Sequence, residues 1–228
     1  MTPPPGRRPR LLLGGALAAG LGLPVALLAL AVRAGTPALV QADDAAVRAG
    51  TDLTRSEPAL RAALVGWQEA LQPLWVNMAV LATCVWVGRR HGLAGRARWT
   101  AVTVLVGWGA EALLKLVVQR ARPVVDDAVA HASGFSFPSG HAANTTSAGI
   151  ALTVLIWPLL GPRARVAVPV AVGAVVALTA ADRVLLGVHH PSDVVAGVLV
   201  GGAVAGASWV AFGDRAARSP AGRAVQAQ

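Results

Sequence analysis

Six apolar stretches constrain this chain more than any other feature: Leu11–Val32, Leu71–Gly88, Trp99–Val118, Ala142–Leu160, Val166–Ala181 and Val194–Phe212. Each is long enough, or nearly so, to cross a hydrocarbon core of ~30 Å, which takes about 20 helical residues. In lipid the backbone must satisfy its own hydrogen bonds, so such stretches fold as helices. The reading is an all-α integral membrane bundle of six transmembrane helices over residues 11–212, flanked by tails at 1–10 and 213–228. The fifth stretch is short, and its ends are the least defined. Composition agrees, with 55% hydrophobic and 14% charged residues, against ~25% charged in soluble chains. A disordered chain, a coiled coil and a polar nucleic-acid binder are excluded. Cys84 is the sole cysteine, so no intrachain disulfide forms.

Charge sets the expected orientation. With the N-terminus inside, the inner segments collect Arg7, Arg8, Arg10, Arg89, Arg90, Arg96, Arg98, Arg163, Arg165, Arg215, Arg218 and Arg223, with Asp214 their one acid. The outer segments collect Asp43, Asp44, Asp52, Glu57, Glu69, Asp126, Asp127, Asp182 and Asp193. Cytoplasmic loops gather Arg and Lys, so both termini are expected in the cytoplasm. The basic excess then follows from topology, and nucleic acid is not an expected partner. Leu11–Val32 also has the Arg-rich flank and small residues of a cleaved signal peptide. Its apolar run exceeds the usual ~7–15 residues, and a retained helix is expected. Between the first two spans, residues 40–70 carry Leu53, Leu60, Leu64 and Trp67 at helical spacings among charges, the pattern of an amphipathic segment at the outer surface.

Three polar clusters interrupt the apolar pattern, all on the outer side. Lys115 and Arg122-Pro123 close the third span, and Pro123 disfavours helix at Arg122, so the helix is expected to run to that point. On one helix the two side chains lie 20° apart around the axis and about 10.5 Å along it, within reach of a common anion. Snorkelling towards headgroups is the plainer reading. Glu111, one turn earlier, suits a structural ion pair with Lys115. The second cluster is Pro138-Ser139-Gly140-His141. Ser139 is a natural N-cap, the helix N-terminus behind it suits an anion, and His141 suits proton transfer. An ordinary capped helix start is the plainer alternative. The third runs Asp182-Arg183…His189-His190-Pro191-Ser192-Asp193. His189 and Asp193, four apart, suit a carboxylate fixing an imidazole tautomer and making the other nitrogen nucleophilic. A loop histidine and a dipole-favoured acid are the alternatives. His190 reads as a packing residue, His131, Asp126 and Asp127 as solvated loop residues, and His91 as surface.

In this order, Lys-x6-Arg-Pro, Pro-Ser-Gly-His and Arg-x5-His-x3-Asp resemble the type 2 phosphatidic acid phosphatase (PAP2) superfamily over roughly Trp99–Phe212. The resemblance implies a phosphatase whose His189 forms a phosphohistidine, with Asp193 orienting it and His141 protonating the leaving oxygen. It implies that Lys115, Arg122, Ser139, Gly140 and Arg183 hold the phosphate oxygens, with no metal and no cofactor. The implied substrate is a lipid phosphate in the bilayer: undecaprenyl diphosphate, phosphatidic acid or phosphatidylglycerophosphate, met at the outer face of the cytoplasmic membrane. Phosphoryl or headgroup transfer to an alcohol, and a non-catalytic lipid-phosphate binder or transporter, are the rival functions. One position departs from the pattern: Asp182 stands where the family usually has Ser, and there it can pair with the adjacent Arg183.

Overall fold

The computed structural model describes residues 7–125 and 130–217, and every regular element in them is helical. The order is α1 (Arg7–Arg33), α2 (Pro37–Ser56), α3 (Pro58–Ala70), α4 (Pro73–Arg90), α5 (Ala94–Val118), α6 (Gly140–Ile156), α7 (Ala164–Leu185), α8 (Pro191–Gly202) and α9 (Ser208–Ala217). A 3₁₀ turn at Trp157–Leu159 extends α6, and a π-helical turn at Ala203–Ala207 joins α8 to α9. Proline opens α2, α3, α4 and α8, where its missing N–H costs nothing and its fixed φ suits the first turn. The expected tail residues before Arg7 and after Ala217, and Asp126 and Asp127, lie outside the described residues.

Five helices are long and apolar enough to cross a membrane: α1, α5, α6 with its 3₁₀ turn, α7, and α8 continued through α9. Helices α3 and α4 qualify only together, across a 48° bend, which makes up to six spans. The expected second span, Leu71–Gly88, lies almost wholly within α4. The fifth span is longer than its apolar run suggests, because α7 extends through Asp182 and Arg183 to Leu185. These two charged residues pair with each other and are buried, so neither ends the helix. The third span ends at Val118, as its apolar run does, and the helix does not continue to Arg122 as expected. Helix α5 stops at Val118, and Gln119 takes a left-handed conformation (φ 54°) whose N–H bonds back to the Lys115 carbonyl. Pro123 marked where a helix could not continue; the left-handed cap ends it earlier. Arg122 is therefore on a non-helical segment, and the expected helical spacing between it and Lys115 does not hold.

Helix α6 is the centre of the bundle, packed against α4, α5, α7 and α8. One core layer joins Val80, Cys84 and Val87 of α4 to Val104 of α5 and Ala148, Ala151 and Leu155 of α6. A second joins Val25 of α1 to Val118, Phe137, Ala196 and Val200. Helix α8 meets α6 through Gly197 and Gly201. A Cβ at Gly197 would stand 2.5 Å from the Ser139 carbonyl oxygen, and one at Gly201 2.4 Å from that of Ala143. Only glycine permits this approach, which is the means by which membrane helices without a hydrophobic driving force pack closely. It also sets the register between the start of α6 and the start of α8.

Helices α2 and α3 pack over the end of α7. Thr54 Oγ1 donates to the Leu185 carbonyl at 2.8 Å, and Trp67 Nε1 donates to Thr179 Oγ1 at 3.2 Å. The C-terminal ends of α5 and α7 and the N-terminal ends of α6 and α8 meet at this same end of the bundle.

Candidate active site

Gly187, in a left-handed turn (φ 71°), ends α7 and directs the chain to His189. His189 is buried, and its two ring nitrogens face different groups. Nε2 lies 3.2 Å from Arg122 NH1. Nδ1 lies 3.6 Å from Asp193 Oδ2, with the Ser136 hydroxyl beside both: Ser136 Oγ is 3.4 Å from Nδ1 and donates to Asp193 Oδ2. With Arg122 donating at Nε2, that nitrogen carries the lone pair and Nδ1 the proton. Burial pushes the imidazole down to about pKa 4; Asp193 opposes the shift, and Arg122 and Lys115 add to it. At neutral pH His189 is thus an uncharged base whose free lone pair faces cations.

Arg122 is fixed by backbone oxygens. Its NH1 donates to the Val188 carbonyl at 2.7 Å, its NH2 to Ser133 at 3.0 Å and its Nε to Gly134 at 3.1 Å. Lys115 pairs with Glu111 at 3.2 Å, as the i,i+4 spacing suggested. The Glu111 carboxylate lies against Gly140, where a Cβ would come within 3.0 Å of Oε1. Arg183 donates through Nε to Asp182 Oδ2 at 2.8 Å, its NH2 also contacts that carboxylate, and its NH1 donates to Gln68 Oε1 at 3.0 Å. Asp182 thus holds one edge of the guanidinium and leaves the NH1 corner towards the cavity.

Ser139 caps α6 as expected, its Oγ accepting from the Ala142 N–H at 3.5 Å. It is fully buried and does not line the cavity. Its own N–H donates to the Asp193 carbonyl at 2.8 Å, tying the starts of α6 and α8 together. Two residues later, His141 Nε2 is shielded from solvent and has no hydrogen-bond partner. Lys115, Arg122, Gly140, His141, Arg183 and His189 all line one cavity of about 370 Å³. Asp193, wholly buried, stands behind His189. Among the described residues, no group of three or more His, Cys, Asp or Glu is arranged to hold a metal ion.

The profile of the PAP2 superfamily matches residues 96–217. The chain belongs to the PAP2 superfamily. Its PAP2 relatives include decaprenylphosphoryl-5-phosphoribose phosphatase of Mycobacterium tuberculosis, 34% identical over 135 residues, 57% of this chain and 67% of the relative. Phosphatidylglycerophosphatase B of Bacillus subtilis is 32% identical over 113 residues, 46% of this chain and 55% of the relative. Among solved structures, a transmembrane PAP2-type phosphatidylglycerolphosphate phosphatase from B. subtilis superposes with a TM-score of 0.67 at 27% identity, covering 88% of this chain and 97% of that one. These relatives are lipid phosphatases, and the PAP2 fold they share is that of a multi-pass membrane protein.

Around the PAP2 motifs the structure adds residues that spacing alone did not single out. Arg120 donates at 2.7 Å to Asp193 Oδ1, to Ser192 Oγ and to Asp43 Oδ2 of α2. Asp43 in turn accepts from the Ser192 N–H at 3.1 Å. His190 is buried, as a packing residue is, and is polar in its contacts: its N–H donates to Asp193 Oδ2 at 2.9 Å and its Nε2 lies 3.6 Å from Asp44. Asp193 therefore sits within Arg120, Ser136 and both the N–H and the ring of His190, whose Nδ1 is 3.2 Å from Oδ2. It meets His189 across 3.6 Å, with Ser136 beside both. Of the remaining histidines, His131 is exposed at the cavity mouth and His91 is exposed at the opposite end of the bundle.

Proposed function

We propose that this protein is a metal-independent membrane phosphatase that hydrolyses a lipid phosphate or diphosphate through a phosphohistidine at His189. The observation that carries the reading is the meeting of His189 Nε2, His141 and three cations in one cavity of about 370 Å³. Phosphoryl transfer needs chiefly positioning and stabilisation of charge, and Lys115, Arg122 and Arg183 supply both for the non-bridging oxygens. The first-turn amides of α6, at Gly140, face the same space.

In the first step His189 Nε2 attacks phosphorus, an N–P bond forms, and the P–O bond to the lipid breaks. His141 gives its proton to the departing oxygen. Asp193, through Ser136 and across 3.6 Å, stabilises the proton held on Nδ1 as the ring becomes charged. In the second step His141 takes a proton from water, the water oxygen attacks phosphorus, and the N–P bond breaks to release inorganic phosphate. Ser139 supports the site by capping α6 and tying it to Asp193, with its hydroxyl held away from the cavity.

The distribution of arginines supports an active site facing outward from the cytoplasmic membrane, with both termini inside. Candidate substrates are undecaprenyl diphosphate, phosphatidic acid, phosphatidylglycerophosphate and lipid-linked sugar phosphates such as the one named for the mycobacterial relative. Purified protein in mixed micelles, assayed for phosphate release from each of these with and without a chelator, tests the reading. Release that persists under chelation supports it; no release from any of them, or release only with added metal, counts against it.

A further inference from the structure

We infer that the end of α3 and the turn into α4 form a hydroxyl-binding rim, which selects phosphate monoesters of a lipid-bearing polyol, a sugar or a glycerol, over diphosphates. The inference rests on the phosphatase reading above and names the substrate class for that same cavity.

The cavity is larger than phosphate needs. At about 30 Å³ of liquid per water, 370 Å³ is room for roughly a dozen waters, whereas a phosphate group has five heavy atoms. Beyond the cations, the space is lined chiefly by Gln68, Glu69, Gln72, His131 and Ser133, all capable of hydrogen bonding, with only Pro73 and Ala132 apolar among them. A cavity made for the alkyl end of a lipid would be lined with apolar groups there.

The rim residues are ordered into a row that begins on the phosphate clamp. Arg183 NH1 donates to Gln68 Oε1 at 3.0 Å; Gln68 Nε2 reaches Glu69 Oε1 at 3.5 Å; Gln72 Nε2 donates to Glu69 Oε2 at 2.6 Å. The Glu69 carboxylate is thus held between two amides with lone pairs to spare, since an ionised carboxylate accepts at about four sites. Hydroxyl groups of a leaving alcohol satisfy such acceptors; a second phosphate, which has no proton to offer at neutral pH, does not.

Charge points the same way. Three cations, Lys115, Arg122 and Arg183, share the cavity with two carboxylates, Glu69 and Glu111. A monoester carries about −1.5 to −2 at neutral pH, which already more than cancels this excess of one positive charge. The added phosphate of a diphosphate would lie towards Glu69, like charge against like.

The test compares kcat/KM on three substrates in one preparation: a lipid phosphorylated on a glycerol or pentose hydroxyl, a polyprenyl diphosphate, and an aryl phosphate. Ratios between substrates cancel any difference in the folded fraction. Wild type is expected to favour the polyol monoester over the diphosphate. Glu69→Ala should lower the polyol-to-aryl ratio about tenfold, the scale of one lost hydrogen bond to a charged group, mainly through KM. Glu69→Gln, which keeps hydrogen-bonding capacity without charge, should raise the diphosphate-to-aryl ratio while retaining more of the polyol ratio than Glu69→Ala. Wild-type ratios persisting in both variants, or a wild-type preference for the diphosphate, would overturn the inference while leaving the phosphatase intact. Failure to hydrolyse any of the three would instead remove the phosphatase reading, and this inference with it.

Discussion

Arg120 holds the carboxylate of Asp193 from the side away from His189, its NH1 2.7 Å from Oδ1, with the two side chains only 10% and 0% exposed. The same guanidinium reaches Asp43 of α2 at 2.7 Å, so one residue on the segment after α5 connects an outer helix to the acid behind the nucleophile.

Removing Arg120 leaves two buried carboxylates without their cation. Arg120→Ala should destabilise the protein by about 3–5 kcal/mol, the usual scale for breaking a buried pair on one side. In the surviving folded fraction, kcat should fall on the order of 10²-fold through misplacement of His189, with KM little changed. Ser136→Ala, which removes only the bridging hydroxyl, should lower kcat with a smaller loss of stability. Thermal unfolding and active-site-normalised kinetics check both; a rise in KM with kcat preserved would place Arg120 in substrate binding instead.

The pH dependence follows from the burial of His189. Its folded pKa is depressed to about 4, so the imidazole is neutral and nucleophilic above that value and is protonated as pH falls through it. The acidic limb of kcat/KM should therefore lie near pH 4, well below an ordinary histidine. Because Lys115 helps depress this pKa, residual activity in Lys115→Met should show a limb at higher pH. Two substrates with different second phosphate ionisations separate the enzyme's limb from the substrate's own. An enzyme limb near pH 6.5 would contradict the buried, neutral nucleophile.

The motif residues were legible because each lies at a helix end that hydropathy alone locates: Lys115 closing α5, His141 opening α6, Arg183 closing α7, and His189 with Asp193 opening α8. Their order along the chain resembled one family, and the fold brings most of them to one cavity. Arg120, Asp43, Ser136 and Gln68 gave no comparable signal. Asp43 and Gln68 read as polar positions of an amphipathic segment, and Arg120 as one more basic residue near Arg122; only tertiary packing aims them inward. The end of α5 was misplaced for a related reason. The rule about the residue before proline says where a helix must have stopped, whereas the left-handed conformation at Gln119 is a local choice that spacing does not reveal. Asp182 shows the converse: the sequence suggested its pairing with Arg183, and the two are in fact buried partners within α7.

His141 has a narrower task than His189. Supplying a proton matters most when the departing oxygen is a poor leaving group, so His141→Ala should reduce turnover of a lipid monophosphate about 10²–10⁴-fold. An aryl phosphate, whose oxygen leaves without protonation, should lose much less. The measurement is the ratio of kcat/KM for the two substrates in wild type and variant; an unchanged ratio would assign His141 to binding or give the proton to another group.

Orientation is open to a labelling experiment in a Cys84→Ala background. Cysteine introduced at Ala130, near the cavity mouth, should react with a membrane-impermeant thiol reagent added to intact cells, and cysteine at Ala94, at the start of α5, should not. The opposite pattern would put the active site in the cytoplasm.

The covalent intermediate is the most direct point of contact with experiment. Enzyme mixed with a lipid phosphate labelled in its terminal phosphate, quenched in alkaline denaturant within one turnover and digested, should yield a single phosphorylated peptide with the label on His189. The label should be acid-labile, should disappear on chase with unlabelled substrate, and should be absent from His189→Ala together with turnover. Label on another residue, or His189→Ala retaining turnover, would contradict the assignment of His189 as the nucleophile.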